Sequence, residues 1–262
     1  MIQDEIAFRR ERLENLAKAK AVLDARAKER YEAEKAEYDA KVKEREAKAR
    51  KRHQKPRGQP PKPPEVGPSD KDQYNFTDPD SRIMKNSTDN GYDQHYNAQV
   101  AVTQNSMFIV ATSLSNHPND KQEAEPTLDA LPAELGQPEA VAMDNGYFSA
   151  SNIEATEERG IKPYIATGVR RTTSAWKTCL APTATASPKE KMTYQLTTEI
   201  GHEIYRLRKC TVEPVIGIIK EILGFRQFSL RGLKNVTGEW CLVCLAFNLK
   251  RMHSIWLAQL LY

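Results

Sequence analysis

The sequence predicts an α/β protein: a mixed sheet flanked by helices and preceded by a long charged helix. Three observations lead there. Residues 1–55 contain no Gly and no Pro and are dominated by Ala, Glu, Lys and Arg, the strongest helix formers. Beyond a proline-rich stretch, short apolar runs bounded by turn residues alternate with capped segments, an order that builds a sheet with helices on its faces. The apolar share of 39% is low and the charged share of 28% is high, so a large part of the 262 residues contributes nothing to a core.

The first helix, over 1–55, carries a thin stripe of Ile6, Leu13, Leu16, Leu23, Ala27, Tyr31, Tyr38 and Val42 on one face. That stripe suits pairing with another helix, in a second copy of the chain among other partners; a solvated helix laced by Glu-to-Lys pairs at i,i+4 is the equal alternative. Up to Arg57 there are 18 Lys and Arg against 12 Asp and Glu, so the whole positive charge of the +4 chain sits in this segment. It culminates in Lys48-Ala49-Arg50-Lys51-Arg52-His53-Gln54-Lys55-Pro56-Arg57, whose density suits a phosphate backbone. Such a charge run binds double-stranded DNA without reading bases. Residues 56–72 form a linker, with six prolines and two glycines between Pro56 and Pro68, and the folded domain is expected over 73–262.

In that domain Tyr74–Thr77, Tyr96–Val102 and Ser106–Leu114 read as three strands, the last two a hairpin around Gln104-Asn105. Asn119 to Leu131 reads as a capped helix, and Ala140–Met143 as a short buried strand. Ser149 or Ser151 caps a helix that runs to about Arg159 and stops at Gly160; Ile161–Ala166 is another strand. Residues 167–192 lack periodicity and form a loop insertion carrying Arg170, Arg171, Trp176, Lys177, Lys189 and Lys191. Thr197–Gly224 reads helical, with Pro214 beginning a fresh helix, and Gly232–Leu261 is the last, strongly apolar helical region.

No run reaches the roughly 20 apolar residues a bilayer span needs, and Met1–Glu5 has no signal-peptide character, so a soluble, cytoplasmic protein with no membrane partner is expected. Four cysteines, 179, 210, 241 and 244, do not make a disulfide framework. Cys241-x2-Cys244 has no second ligand pair nearby and reads as small apolar positions of a helix rather than a zinc site.

Three acids occupy special places in this scheme. Asp78 follows the first expected strand, Asp144 ends the fourth, and Glu213 begins a helix after the loop. A crossover through the first helix would lay strands one and four side by side, bringing Asp78 and Asp144 to one sheet edge, with Glu213 packed over it. An all-oxygen cluster of that kind holds Mg²⁺ or Mn²⁺, and two such ions clamp the attacking and leaving oxygens of a phosphodiester displacement. Each acid also has a plain structural role available: Asp144 in an Asp-Asn-Gly turn, Asp78 before Pro79, Glu213 as a favourable charge at a helix start.

The whole pattern resembles the DDE transposases of bacterial insertion sequences. The likeness runs in order through 77–85, Tyr96–Val102, Asn119-Asp120-Lys121, Ala142–Tyr147, Val212–Lys220 and Arg231 to Leu249. One large group of these enzymes carries Tyr-x2-Arg-x3-Glu-x6-Lys; here Tyr205-x2-Arg208 is followed by four residues before Glu213, then six before Lys220. The resemblance implies a ribonuclease-H-like catalytic domain in which Asp78, Asp144 and Glu213 bind two divalent ions, Mg²⁺ or Mn²⁺, and Tyr205, Arg208 and Lys220 hold phosphates of the transposon end. Asp80 competes with Asp78 for the first metal position, and Thr103 stands where related sequences often have Asp.

The activity implied is hydrolysis of a phosphodiester at the element's end and joining of the freed 3′-hydroxyl to target DNA, in a bacterial, nucleoid-associated setting. Relatives resemble proteins with a helical DNA-binding domain ahead of the linker helix, and no segment here matches one, which makes this chain look like the C-terminal part of a transposase. A nuclease of the same fold and a non-catalytic DNA-binding remnant are the alternatives.

Overall fold

A computed structural model describes residues 2–51, 58–86, 91–168, 181–183 and 186–260. Contacts divide the chain into two compact units, Met1–Pro79 and Asp80–Tyr262. The first is built on a single helix, Ile2–Lys51 (α1), which follows from its composition. Ion pairs one turn apart line it, Glu5 with Arg9 at 2.6 Å and Glu37 with Lys41 and Glu44 with Lys48 at 2.5 Å each. Arg52–Arg57, which hold the end of the expected helix and half of its basic terminus, lie outside the described residues.

The proline-rich segment does not leave α1 as a free linker; it runs back along it. Arg45 donates to the Gly58 carbonyl at 2.5 Å, Arg30 grips both carboxylate oxygens of Asp72 at 2.7 and 2.9 Å, and Arg26 donates to the Pro79 carbonyl at 2.5 Å. Arg26 also stands 5.8 Å over the Tyr74 ring, which packs edge-on against Phe76. Prolines suit this strap, since an extended chain laid on a helix needs no ladder donors. The C-terminal part of the apolar stripe, Leu23, Tyr31, Tyr38 and Val42, is thus partly covered, whereas Ile6, Leu13 and Leu16 remain exposed.

In the second unit the strands pair two by two. Arg82–Lys85 (β1) and Tyr92–His95 (β2) are antiparallel; so are Asn97–Val102 (β3) and Ile109–Ser115 (β4), whose connection contains the expected turn at Gln104-Asn105. Ala140–Met143 (β5) and Lys162–Ile165 (β6) are parallel, joined by the crossover helix Ala150–Glu158, which Ser149 caps and Gly160 follows at a φ of +71°. The remaining helices are, in chain order, Ala124–Asp129 (α2), the crossover helix (α3), Pro188–Thr197 (α4), Glu199–Gly217 (α5) and Leu233–Leu260 (α6). One core gathers Met143, Ile153, Tyr164, Ile165, Met192 and Leu196 around β5 and β6. The other packs Val215, Ile219, Trp240, Cys244 and Phe247 against Ile109 of β4.

Several expectations change. The sheet is not continuous: β3 and β5 both line a cavity of about 560 Å³ instead of sharing a hydrogen-bonded ladder, and β5 pairs with β6 rather than with the first strand. Tyr74–Thr77 is irregular, because the Asn75 side chain accepts from the Thr77 amide at 3.0 Å and the following Pro79 offers no donor. The Asn119–Leu131 helix is broken into a short 3-10 turn, Asp120–Gln122, and α2, with Pro126 removing a helical donor. Helix α4 begins inside the expected loop, from a capping box between Ser187 and Glu190; residues 169–180, which include Arg170, Arg171, Trp176 and Lys177, lie outside the described residues. Pro214 does not start a helix but sits within α5, held in line by the buried Val215 beyond it.

Cys244 is buried, and that burial, with Cys241 beside it, pushes its thiol up to about 12; Cys241 itself is exposed. Among the described residues no helix is long and apolar enough to cross a membrane.

The grip of Arg30 holds the Asp72 carboxyl below the usual carboxylate range, chiefly through the hydrogen bond. A depressed acid stabilises the folded form above its unfolded pKa of about 4 and loses that contribution as pH falls through the lower folded value. Arg30 is more than a third exposed, so after screening the pair contributes on the order of 0.5–1 kcal/mol. Asp72→Asn should therefore speed chymotryptic cleavage after Tyr74 and Phe76 about two- to fivefold at neutral pH, and the difference from the parent should vanish in an acid protease digest below about pH 3. Equal rates at neutral pH would show that the pair does not fasten the strap.

Candidate catalytic site

Strand β5 delivers Asp144 at its end, where the carboxylate accepts from the Asn145 amide at 2.8 Å and opens a short 3-10 turn, Asn145–Tyr147. This turn is held from below. Asp120 lies so close to Gly146 that a Cβ there would stand 2.6 Å from its Oδ2. Asp120 is itself fixed, as Asn97 and Gln99 donate to its Oδ1 at 2.8 and 3.0 Å. Tyr147 donates to the Gln99 side chain, and Trp240 of α6 donates to the Gln99 carbonyl at 3.1 Å. Burial first, and then the negative charges of Asp120, Glu123 and Asp144, push the Tyr147 phenol far above its ordinary value, so it keeps the proton that it donates to Gln99. Sequence reading assigned none of Asn97, Gln99, Asp120 or Tyr147 a role. The alternation in Asn97-Ala98-Gln99 was the available signal, since it turns two polar side chains to one face of a strand.

Helix α5 brings the other half. Tyr205 and Arg208 are one turn apart, and the guanidinium stands 5.5 Å over the Tyr205 ring. Arg208 then reaches two carboxylates: its Nη1 is 3.6 Å from Asp144 Oδ2 and its Nη2 is 3.9 Å from Glu213 Oε1. Both separations are longer than hydrogen bonds, so the attraction is electrostatic. Only 14% of the Arg208 side chain is exposed, against 58% for Asp144 and 60% for Glu213. The Arg208 Nε is buried with no hydrogen-bond partner among the described residues. Asp144 and Arg208 also line the cavity that Val100 and Val141 flank.

Asp144, Glu213, Arg208 and Tyr205 therefore share one neighbourhood. Glu213 does not begin a helix as the sequence reading had it; it lies well inside α5, immediately before Pro214. Lys220 is exposed in a π-helical turn, Ile218–Ile222, that ends this helix, with Ile219 buried beneath. Single π turns of this kind often mark functional positions. Asp78 is buried in the first unit, in irregular chain rather than at a strand end. Asp80 belongs to the second unit, where its Oδ2 accepts from the Leu233 amide at 2.9 Å and so caps α6.

A divalent ion needs several oxygen ligands converging on one point. Among the described residues no group of three or more Asp, Glu, His or Cys stands so placed, and the two acids near Arg208 each face its guanidinium. In this arrangement the donor set does not fit a metal ion.

Two exposed acids and an arginine beside an aromatic ring thus stand together at the end of a parallel strand pair. Residues 65–249, well over half of the chain, match the family described as Transposase DDE domain, and the chain belongs to that family. It is a family of polynucleotidyl transferases whose members usually use divalent metals and act on DNA. Neither the comparison with curated proteins nor that with solved structures yields a match.

The fit of Asp120 against Gly146 gives a test of how firmly the Asp144 turn is held. Gly146→Ala must displace a carboxylate that two amides fix, at a cost of about 1–2 kcal/mol, and should lower Tm by roughly 2–8 °C. Gly238→Ala in α6, where a Cβ meets nothing within 4 Å, should leave Tm unchanged or raise it. Equal Tm values for the two variants would mean that the turn yields freely.

Proposed function

We propose that this chain is the catalytic domain of a DNA transposase, ribonuclease-H-like in organisation, that cleaves a phosphodiester at the end of an insertion sequence and transfers the freed strand to target DNA. The observation that carries this reading is the meeting of Asp144 and Glu213, from separate elements, at one guanidinium beside an open cavity. In it, Asp144 and Glu213 are catalytic acids and Arg208, Tyr205 and Lys220 face phosphates of double-stranded DNA. Arg suits a bidentate phosphate contact and an exposed Lys a point-charge one. Asp78 as the third acid, and Mg²⁺ or Mn²⁺ as a pair of ions bound by Asp78, Asp144 and Glu213, rest on the sequence resemblance alone. So do a homo-oligomeric assembly and a bacterial, nucleoid-associated location.

A second reading, a non-catalytic DNA-binding form of the same domain, is favoured by one observation: the described residues offer no three-acid metal group. Affinity would then come from phosphate contacts and counterion release.

Incubation with a labelled duplex carrying a candidate element end, in Mg²⁺ or Mn²⁺, separates the two readings. Under the first, the parent nicks the end and joins a pre-cleaved 3′-end to a second duplex, and Glu213→Gln abolishes both at unchanged Tm. Cleavage by Glu213→Gln at the parent rate removes Glu213 from the site; binding without any cleavage by the parent selects the second reading. Lys220→Ala should weaken duplex binding under either reading and lower the slope of log K against log salt by about one.

A further inference from the structure

We propose that the outward face of helix α6 docks against the same face of a second copy of this chain, with the two helices antiparallel. The inward face of α6 buries Val236, Trp240, Cys244 and Phe247. On the outward face Leu242, Leu245, Leu249, Met252 and Trp256 are each 53–68% exposed. They follow one another at spacings of 3, 4, 3 and 4, the repeat of a coiled-coil seam. A helix face that stays in water carries charged side chains, and this one does not. Among the described residues of 238–260, Lys250 is the one exposed Lys, Arg, Asp or Glu. Glu239 is occupied by the Ser229 and Leu230 amides and Arg251 by the Ser106 carbonyl. A face so poor in cations does not suit a nucleic acid backbone, which is held by Lys and Arg.

The size gradient along the seam identifies the occupant. Gly238 continues the repeat four residues before Leu242, so the seam runs from the smallest side chain at one end to Trp256 at the other. A Cβ at Gly238 meets nothing within 4 Å, and a helical glycine costs about 1 kcal/mol relative to alanine, so the fold of a single copy gives no reason for it. An antiparallel second copy gives one. In the register that sets Leu245 against Leu249 of the other copy, Leu242 meets Met252 and Gly238 meets Trp256, and each pair occurs twice about the two-fold axis. A parallel pair would set Trp256 on Trp256 and Gly238 on Gly238, crowding one end and leaving a void at the other. With Leu257 and Leu260, which are also exposed, the seam offers on the order of 700 Å² of apolar surface per copy, near the roughly 800 Å² per partner of a standard interface. None of these residues belongs to the candidate site, so the inference goes beyond the catalytic reading and does not depend on it.

Sedimentation equilibrium of the full chain over a concentration series tests this, with helicity followed by circular dichroism. The parent should be a dimer with a dissociation constant of about 1 μM. Leu249→Glu, an exposed position beside the two-fold axis, should weaken dimerisation at least about a hundredfold at unchanged helicity. Leu242→Glu and Met252→Lys should each weaken it about tenfold or more, and the two together in one chain should restore it, because the antiparallel register sets each new carboxylate against a new ammonium. A parent that stays monomeric at about 100 μM overturns the proposal. So does a dimer that Leu249→Glu leaves intact, which would assign association to another surface. A double variant weaker than either single one overturns the antiparallel arrangement, since a parallel pair would set like charges against each other.

Discussion

Helix α5 is pinned where it matters by two side chains that water cannot reach, Val215 and Ile219, and the position of every candidate site residue on that helix follows from this anchor. Pro214 removes a backbone donor in the middle of the run, yet the helix continues, because burial on the far side of the proline outweighs one missing hydrogen bond. Thr211 adds to the adjustment by donating its hydroxyl back to the Leu207 and Arg208 carbonyls at 3.0 Å each. Glu213 is thereby held on the exposed side, within 3.9 Å of a guanidinium that starts five residues earlier. The other carboxylate, Asp144, is brought from the sheet side by a strand end and a turn braced on Asp120.

Charge organisation divides along the same line as the two units. In the first, ion pairs one turn apart line α1 and the arginines at 26, 30 and 45 act as fasteners for a proline-rich chain. In the second, one arginine serves two acids and leaves them accessible. The first arrangement is a structural use of guanidinium groups; the second keeps charge available for chemistry.

Much of this was legible in the sequence, for identifiable reasons. The long helix, the hairpin at Gln104-Asn105, the strand 140–143 and the helix capped by Ser149 all rest on local signals, composition, alternation and caps, and local signals survive into the fold. Asp144 was legible because it ends an apolar strand, whereas Glu213 was singled out as the start of a helix after the loop and lies instead inside α5. The placement of Asp78 was not: its assignment depended on an expected strand at 74–77, and a side-chain turn at Asn75 with Pro79 beyond dissolves that strand. Helix α4 was missed although Ser187-Pro188-Lys189-Glu190 spells a capping box, because the aperiodic stretch before it masked the start. No local signal could show that Arg208 would lie between two acids, since the contact joins a helix to a strand end 64 positions apart in the sequence. The extra residue between Arg208 and Glu213 moves them off the one-turn spacing at which helical neighbours meet, and the long arginine side chain closes the gap.

The Arg208 guanidinium is held between Asp144 and Glu213 by charge attraction, and the rest of the site is arranged around that contact. Side-chain nitrogen-15 relaxation of the arginine Nε–Hε groups measures this directly. The account predicts an order parameter for Arg208 near the rigid-backbone value of about 0.85, falling when Asp144→Asn or Glu213→Gln removes one jaw of the clamp. An Arg208 order parameter below about 0.6 in the parent, with no response to either substitution, would contradict it.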